Sequence, residues 1–220
     1  MPAPAPDAPL RQVHRARLHP LPEPALAEAF SSWQGALAAL QSDGRLLTAA
    51  LYRDAYSLFL YTEALGAPLD PAAALPAPGG LLRPWPELDG DRPWVAMMDV
   101  FHFNAPASLA HWRRSTPPAE RQGRLLRLHP DKVASYVYYH FQLQEERAFP
   151  GEKYKFIALH GSLLFMYNEL PATLETPPLP GLLSTRGTPS DWSDTRMDEH
   201  LIPWDASTPS SRGLPLVFSL

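Results

Sequence analysis

Apolar side chains recur along this chain in two rhythms, and each rhythm occurs in both halves. In residues 24–44, Leu26, Phe30, Trp33, Leu37 and Leu40 fall three or four apart, which predicts an amphipathic helix. In residues 131–151, Val133, Tyr136, Val137, His140 and Leu143 repeat that spacing. Gly44 and Gly151 stand where these helices should exit. A short strand ended by proline precedes each helix, "QVHRARLHP" (12–20) and "QGRLLRLHP" (122–130). After each helix come two β-like runs. Residues 45–65 read as a hairpin turning at Arg53-Asp54, and residues 153–170 as one turning at His160-Gly161. A further strand closes each half, "WVAMMDVFHF" (94–103) and "GLPLVFSL" (213–220).

Sliding the chain on itself by about 110 residues superposes these elements in the same order. The tetrapeptide Arg-Leu-His-Pro recurs at 17–20 and 127–130, and "SLFLYTEAL" (57–65) lies over "SLLFMYNEL" (162–170). The expected fold is therefore α+β, with two tandem ferredoxin-like β-α-β-β units. Each sheet would carry helices on one face and leave an apolar face bare. Closing the two bare faces on each other would make an intramolecular dimeric α/β-barrel, a pseudo-dimer. The expected boundaries are a disordered Pro/Ala-rich tail at 1–11, a degenerate first unit at 12–104, a connector at 105–121 with one short helix, and a second unit at 122–220.

Composition narrows the function classes. The chain has 220 residues, 45% of them hydrophobic, which is enough for substantial cores. A net charge of −4 gives no reason to expect nucleic acid or an anionic membrane as partner. With no cysteine, disulfides, thiolate metal sites and cysteine nucleophiles are excluded. The 27 prolines cluster at 2–9, 68–93, 171–180 and 203–215, outside the periodic stretches. The opening residues hold no apolar core of signal-peptide type, and no apolar run is long enough to span a bilayer. The expectation is a cytoplasmic protein, a monomer or weak homodimer. His102, His111, His129, His160 and His200 are dispersed, so no metal or other cofactor is expected. "DTRMDEH" (194–200) reads as a surface charge run.

Residues 124–220 resemble the L-rhamnose mutarotase family of the dimeric α/β-barrel superfamily. The resemblance is carried by Arg127-Leu128-His129-Pro130-Asp131, by Tyr136-x-x-x-His140 at the family's distance from that proline, and by Glu146 at the Glu of a Trp-Pro-Glu. It continues through "KYKFI", the strand "SLLFMYNEL" with Glu169, and the closing "LVFSL". Gln144-Glu145 replace the family's Trp-Pro, and its Trp-rich segment is represented by Trp192 and Trp204. The first half has Phe30 where His140 would stand.

The resemblance implies a mutarotase acting on a deoxy aldose such as L-rhamnose. Ring opening and reclosure need an acid at the ring oxygen and a base at the anomeric hydroxyl, and a near-neutral histidine can serve as both. His140 would be that group, with Tyr136 one turn away orienting the sugar. Arg127 and Glu169 would bond its hydroxyls, and Trp192 or Trp204 would stack on its apolar face. By spacing alone the same residues also read as packed positions: His140 and Tyr136 in a helix stripe, Arg127 and Arg17 paired with Glu169 or Glu63, and the tryptophans as loop plugs. Two other functions fit the pattern: a non-catalytic ligand-binding or structural pseudo-dimer, and a cofactor-free monooxygenase on the same fold. Converging Arg127, His140 and Glu169 would favour sugar, and a dry aromatic-lined site would favour the monooxygenase.

Overall fold

The computed structural model describes residues 4–77, 79–88, 90–146, 150–205 and 210–220. Residues 1–3 of the expected tail and 147–149 of the second helical stretch lie outside them. Along the chain the elements are β1 (Leu10–Arg17), α1 (Glu23–Ser42), β2 (Leu46–Asp54), β3 (Ser57–Ala64), α2 (Pro71–Ala74), β4 (Trp94–Ala96), β5 (Met98–Phe101) and α3 (Leu109–Trp112). There follow β6 (Glu120–Leu128), α4 (Val133–Glu146), β7 (Gly151–Glu152), β8 (Phe156–His160), β9 (Leu163–Leu170) and β10 (Leu174–Glu175). The last three are β11 (Leu201–Ile202), β12 (Ser211–Leu214) and β13 (Leu216–Ser219). The protein is α+β, and the strand pairings that set its two large sheets are antiparallel.

The described chain divides into two units, one within residues 6–97 with 214–220, and one within residues 98–213 with residues 4–5. The sheet of the first runs β13-β2-β3-β1-β4, and that of the second β11-β6-β9-β8-β5 with β12 also on β6. The expected boundaries shift in consequence. "WVAMMDVFHF" is not one strand, because Trp94–Ala96 pairs with β1 while Met98–Phe101 pairs with β8. The C-terminal run splits likewise, β12 going to β6 and β13 to β2. The expected tail is shorter too: Leu10 and Arg11 already pair with β3, and the Ala5 amide donates to the Ala107 carbonyl at 2.8 Å. Both hairpins turn later than expected, the first at Ala55-Tyr56 with Ala55 at φ 49° and the second at Gly161-Ser162 with Gly161 at φ 64°.

Each helix forms where the apolar period places it. In α1, Pro24 sits in the first turn, where its missing N–H costs nothing. Leu26, Phe30, Trp33 and Leu37 are buried against Ala16, Leu18, Ala49, Leu51, Leu58 and Leu60. Trp33 buries its ring fully and donates its indole N–H to the Pro76 carbonyl at 3.1 Å, so the large side chain leaves no orphaned donor. In the second unit the stripe of α4 packs on Leu126, Leu128, Ile157, Leu159, Leu164 and Met166. Strand residues alternate between faces. Arg127, Phe165, Tyr167 and Glu169 therefore point away from α4, as Arg17, Phe59, Tyr61 and Glu63 point away from α1.

Candidate functional site

Pro130 ends β6 and opens a 3₁₀ turn, Pro130–Lys132, that runs directly into α4. That entry aims Tyr136 and His140, four apart, at the sheet. Both are buried, and their rings lie 4.0 Å apart at 26°, one stacked on the other. Phe101 and Trp192 meet the imidazole edge-on, each at 5.4 Å. His140 Nδ1 lies 2.9 Å from the Tyr136 carbonyl. A carbonyl only accepts, so Nδ1 carries the proton and Nε2 keeps its lone pair. Among the described residues Nε2 has no hydrogen-bond partner.

Burial pushes the His140 pKa down to about 4, opposed by the Tyr136 carbonyl and reinforced by His200 and Lys155. Burial likewise pushes the Tyr136 phenol up. At neutral pH this pair is a neutral imidazole against a neutral phenol in an aromatic surround.

The other expected site residues do not join them. Arg127 lies on the opposite face of the sheet from His140, because its neighbours Leu126 and Leu128 face α4. Its guanidinium sits 4.4 Å over the Trp204 ring and donates to the Pro203 carbonyl, while Arg212 covers the same ring at 3.9 Å. Glu169 shares Arg127's face but pairs with Arg121 at the far end of β6, six residues away and roughly 20 Å distant. It accepts two bonds from Arg114, at 2.7 and 3.1 Å, and one from the Tyr167 hydroxyl at 2.5 Å. Glu169 thus pairs with Arg114 and Arg121 rather than Arg127, and a sugar could not touch Arg127, His140 and Glu169 together. Of the six expected residues, the structure gathers only His140, Tyr136 and Trp192.

Glu146, matched to the family's glutamate, binds a loop. It accepts from Thr185, the Gly187 amide, and the amide and hydroxyl of Thr188. Those bonds, led by the two hydroxyls, hold its carboxyl down at about 2.

The first unit has contacts of the same kinds. Tyr61 donates to Glu63 at 2.7 Å and accepts from Arg11 at 2.9 Å. Arg17 lies 3.8 Å over Trp85 and donates to the Pro84 carbonyl. Thus each Arg-Leu-His-Pro segment clasps a Pro-Trp pair. The backbone repeats it: Leu18 N–H reaches Tyr56 and Leu128 N–H reaches Ser162, while His19 N–H reaches Leu81 and His129 N–H reaches His200. On α1, Phe30 packs tilted on Trp33 with no acceptor in its ring.

Two features of the second unit carry no signal in the local sequence: Phe101 against His140, and the separate Ser135–His200 pair. Phe101 lies in the run expected to close the first half. His200, read as part of a solvated charge run, is 5% exposed and 2.8 Å from Ser135 Oγ. Among the described residues no group of three or more ligand-type side chains could hold a metal ion, and no helix is long and apolar enough to cross a membrane.

No protein-family model matches the chain, and no curated protein matches it. Solved structures that resemble it over 97% of its length include a provisionally named monooxygenase from Lactobacillus acidophilus NCFM, at 6% identity, TM-score 0.42 and 96% of that chain covered. Another from Fusobacterium nucleatum shows 9% identity, TM-score 0.39 and 94% of that chain covered. An anthrone oxidase-like protein shows 9% identity, TM-score 0.38 and 93% of that chain covered.

Proposed function

We propose that this chain is an internally duplicated pair of β-α-β-β units in which the 98–213 unit alone keeps a small-molecule site. That site takes a flat, hydroxylated aromatic ligand in the seam between α4 and its sheet, for oxygenation without a cofactor. The duplication is supported by the matching strand orders, the two Arg-Pro-Trp clasps and the two Tyr-Glu pairs with their arginines.

The observation that carries the functional reading is the state of His140. Its ring is enclosed by Tyr136, Phe101 and Trp192, is neutral, and offers a single acceptor at Nε2. Aromatic walls favour an aromatic guest, and the acceptor favours a guest with an acidic O–H or activated C–H. A mutarotase would use the same histidine as an acid. With a pKa of about 4, only about one imidazole in a thousand is protonated at pH 7. The separation of Arg127 and Glu169 from His140 also counts against a sugar.

Oxygenation asks less of the base. As an electron-rich substrate gives an electron to O₂ its proton becomes far more acidic, so a weak base suffices. For an activated CH₂, the proton passes to Nε2 and the carbon joins oxygen as a hydroperoxide. Loss of water then leaves a ketone, so CH₂ and O₂ become C=O and H₂O.

The test is oxygen uptake with a hydroxyanthrone and 1-naphthol, beside anomeric exchange of L-rhamnose by NMR, for wild type and His140→Phe. Uptake that depends on His140 is the expected result. Faster anomeric exchange without uptake would restore the mutarotase reading. No turnover and no shift of the His140 ring signals with any ligand would leave a structural protein.

A further inference from the structure

Beyond His140, the second unit holds another histidine with a built partner. His200 closes a 3₁₀ turn, Met197–His200, that follows a first one, Trp192–Thr195. Between them Arg196 has φ 51° and ψ 48°, a left-handed conformation that a non-glycine residue adopts only at a cost. This reversal brings the Arg196 carbonyl to 3.0 Å from His200 Nδ1. Since the carbonyl only accepts, Nδ1–H donates to it, and in this tautomer the lone pair is at Nε2. That lone pair lies 2.8 Å from Ser135 Oγ. Ser135 stands in the first turn of α4, half-buried, next in sequence to Tyr136. Tyr136 and Tyr139 ring the imidazole at 6.3 and 6.4 Å.

We propose that Ser135 and His200 form a nucleophile–base dyad that cleaves small aryl esters, an activity separate from oxygenation at His140. The parts meet the general requirement: a hydroxyl within hydrogen-bond reach of a base, and the base oriented by a third group, here a backbone carbonyl. Oγ bonds to the ester carbonyl carbon while its O–H bond breaks and the proton passes to Nε2. The tetrahedral oxyanion forms at the positive end of α4, which favours negative charge. Its collapse breaks the bond to the aryloxy group, which leaves with the proton from Nε2. Water then attacks the acyl-serine by the same route, releasing a carboxylic acid and restoring the hydroxyl. No oxidant or reductant is consumed. The aryl preference follows from the tyrosines beside the dyad.

A purely structural serine would behave differently. The Lys132 carbonyl, 3.0 Å from Oγ, is a competing acceptor, and a hydroxyl committed to it would not react. The experiment treats the full-length native protein with a fluorophosphonate probe and locates the adduct by peptide mass spectrometry, beside hydrolysis of p-nitrophenyl acetate. Labelling at Ser135 is expected. Ser135→Ala should abolish it, and His200→Gln should slow it roughly 100-fold with far-UV circular dichroism unchanged. No labelling above a heat-unfolded control, or labelling at another residue, overturns the proposal. So does undiminished labelling in folded His200→Gln. If that variant does not fold, the labelled position in the wild type decides.

Discussion

Replacing His140 by phenylalanine should make the protein more resistant to mild acid. Phe101 and Trp192 already meet the imidazole edge-on, so an aromatic hydrocarbon ring suits this position. The folded imidazole has a pKa of about 4 against the ordinary 6.5, mainly because burial penalises the cation. Between those values the unfolded chain binds a proton that the folded chain does not. Stability therefore falls as pH drops from 6.5 to 4 and returns as pH rises. At 1.36 kcal/mol per pKa unit the loss is roughly 2 kcal/mol at pH 5 and approaches roughly 3 kcal/mol below pH 4. His14, also lowered to about 4 by burial, adds an acid-sensitive limb in the first unit. The difference between wild type and His140→Phe cancels that second contribution. Urea denaturation of both proteins at intervals from pH 7 to pH 4.5 should show the variant gaining on the wild type by roughly 2 kcal/mol at pH 5. NMR titration of the His140 ring should place its midpoint near 4. A midpoint near 6.5, or parallel pH profiles for the two proteins, would refute the buried neutral imidazole and the function built on it.

Other consequences follow from single contacts. Glu169→Ala leaves Arg114 and the Tyr167 hydroxyl without their buried acceptor, and chemical denaturation should show a loss of roughly 3–5 kcal/mol. Gly181→Ala would put a Cβ 1.7 Å from the backbone oxygen of Glu145. The loop must then move off α4, a change readable as faster limited proteolysis within 181–188. Glu146→Gln should free the same loop at neutral pH, as acidification through about pH 2 should in the wild type, because its depressed carboxyl supports the loop only while ionised. Backbone amide NMR of Gly187 and Thr188 reads both. Deleting residues 216–220 removes β13 from the edge of β2, and with it buried Phe218 and the Leu220 carbonyl that accepts from Thr48. The melting temperature should fall, and an unchanged value would count against the docking of this strand.

The helices and hairpins were legible because their signals are local. Leu26, Phe30, Trp33 and Leu37 state one buried face through their spacing alone, and burial then needs only a sheet beside it. The repetition of Arg-Leu-His-Pro was equally plain. Even the separation of Arg127 from His140 was within reach, since Leu126 and Leu128 flank Arg127 and a strand alternates its faces. The family resemblance points instead to one site shared by six residues, a grouping that takes no account of this alternation. His200 was hidden for another reason: a left-handed Arg196 folds an acidic, solvated-looking stretch back onto α4, and nothing in local composition announces such a turn.

Local spacing alone marks the two long helices and the hairpin strands with the apolar faces they bury, because those choices depend on neighbours a few residues apart. It takes the assembled chain to join β5 and β13 to sheets remote in sequence, and to close Arg17 and Arg127 over Pro-Trp pairs. It alone placed a neutral His140 among aromatic rings with Ser135 and His200 close by. Those outcomes depend on which surfaces exclude water together, a property of the assembled chain that no short stretch contains.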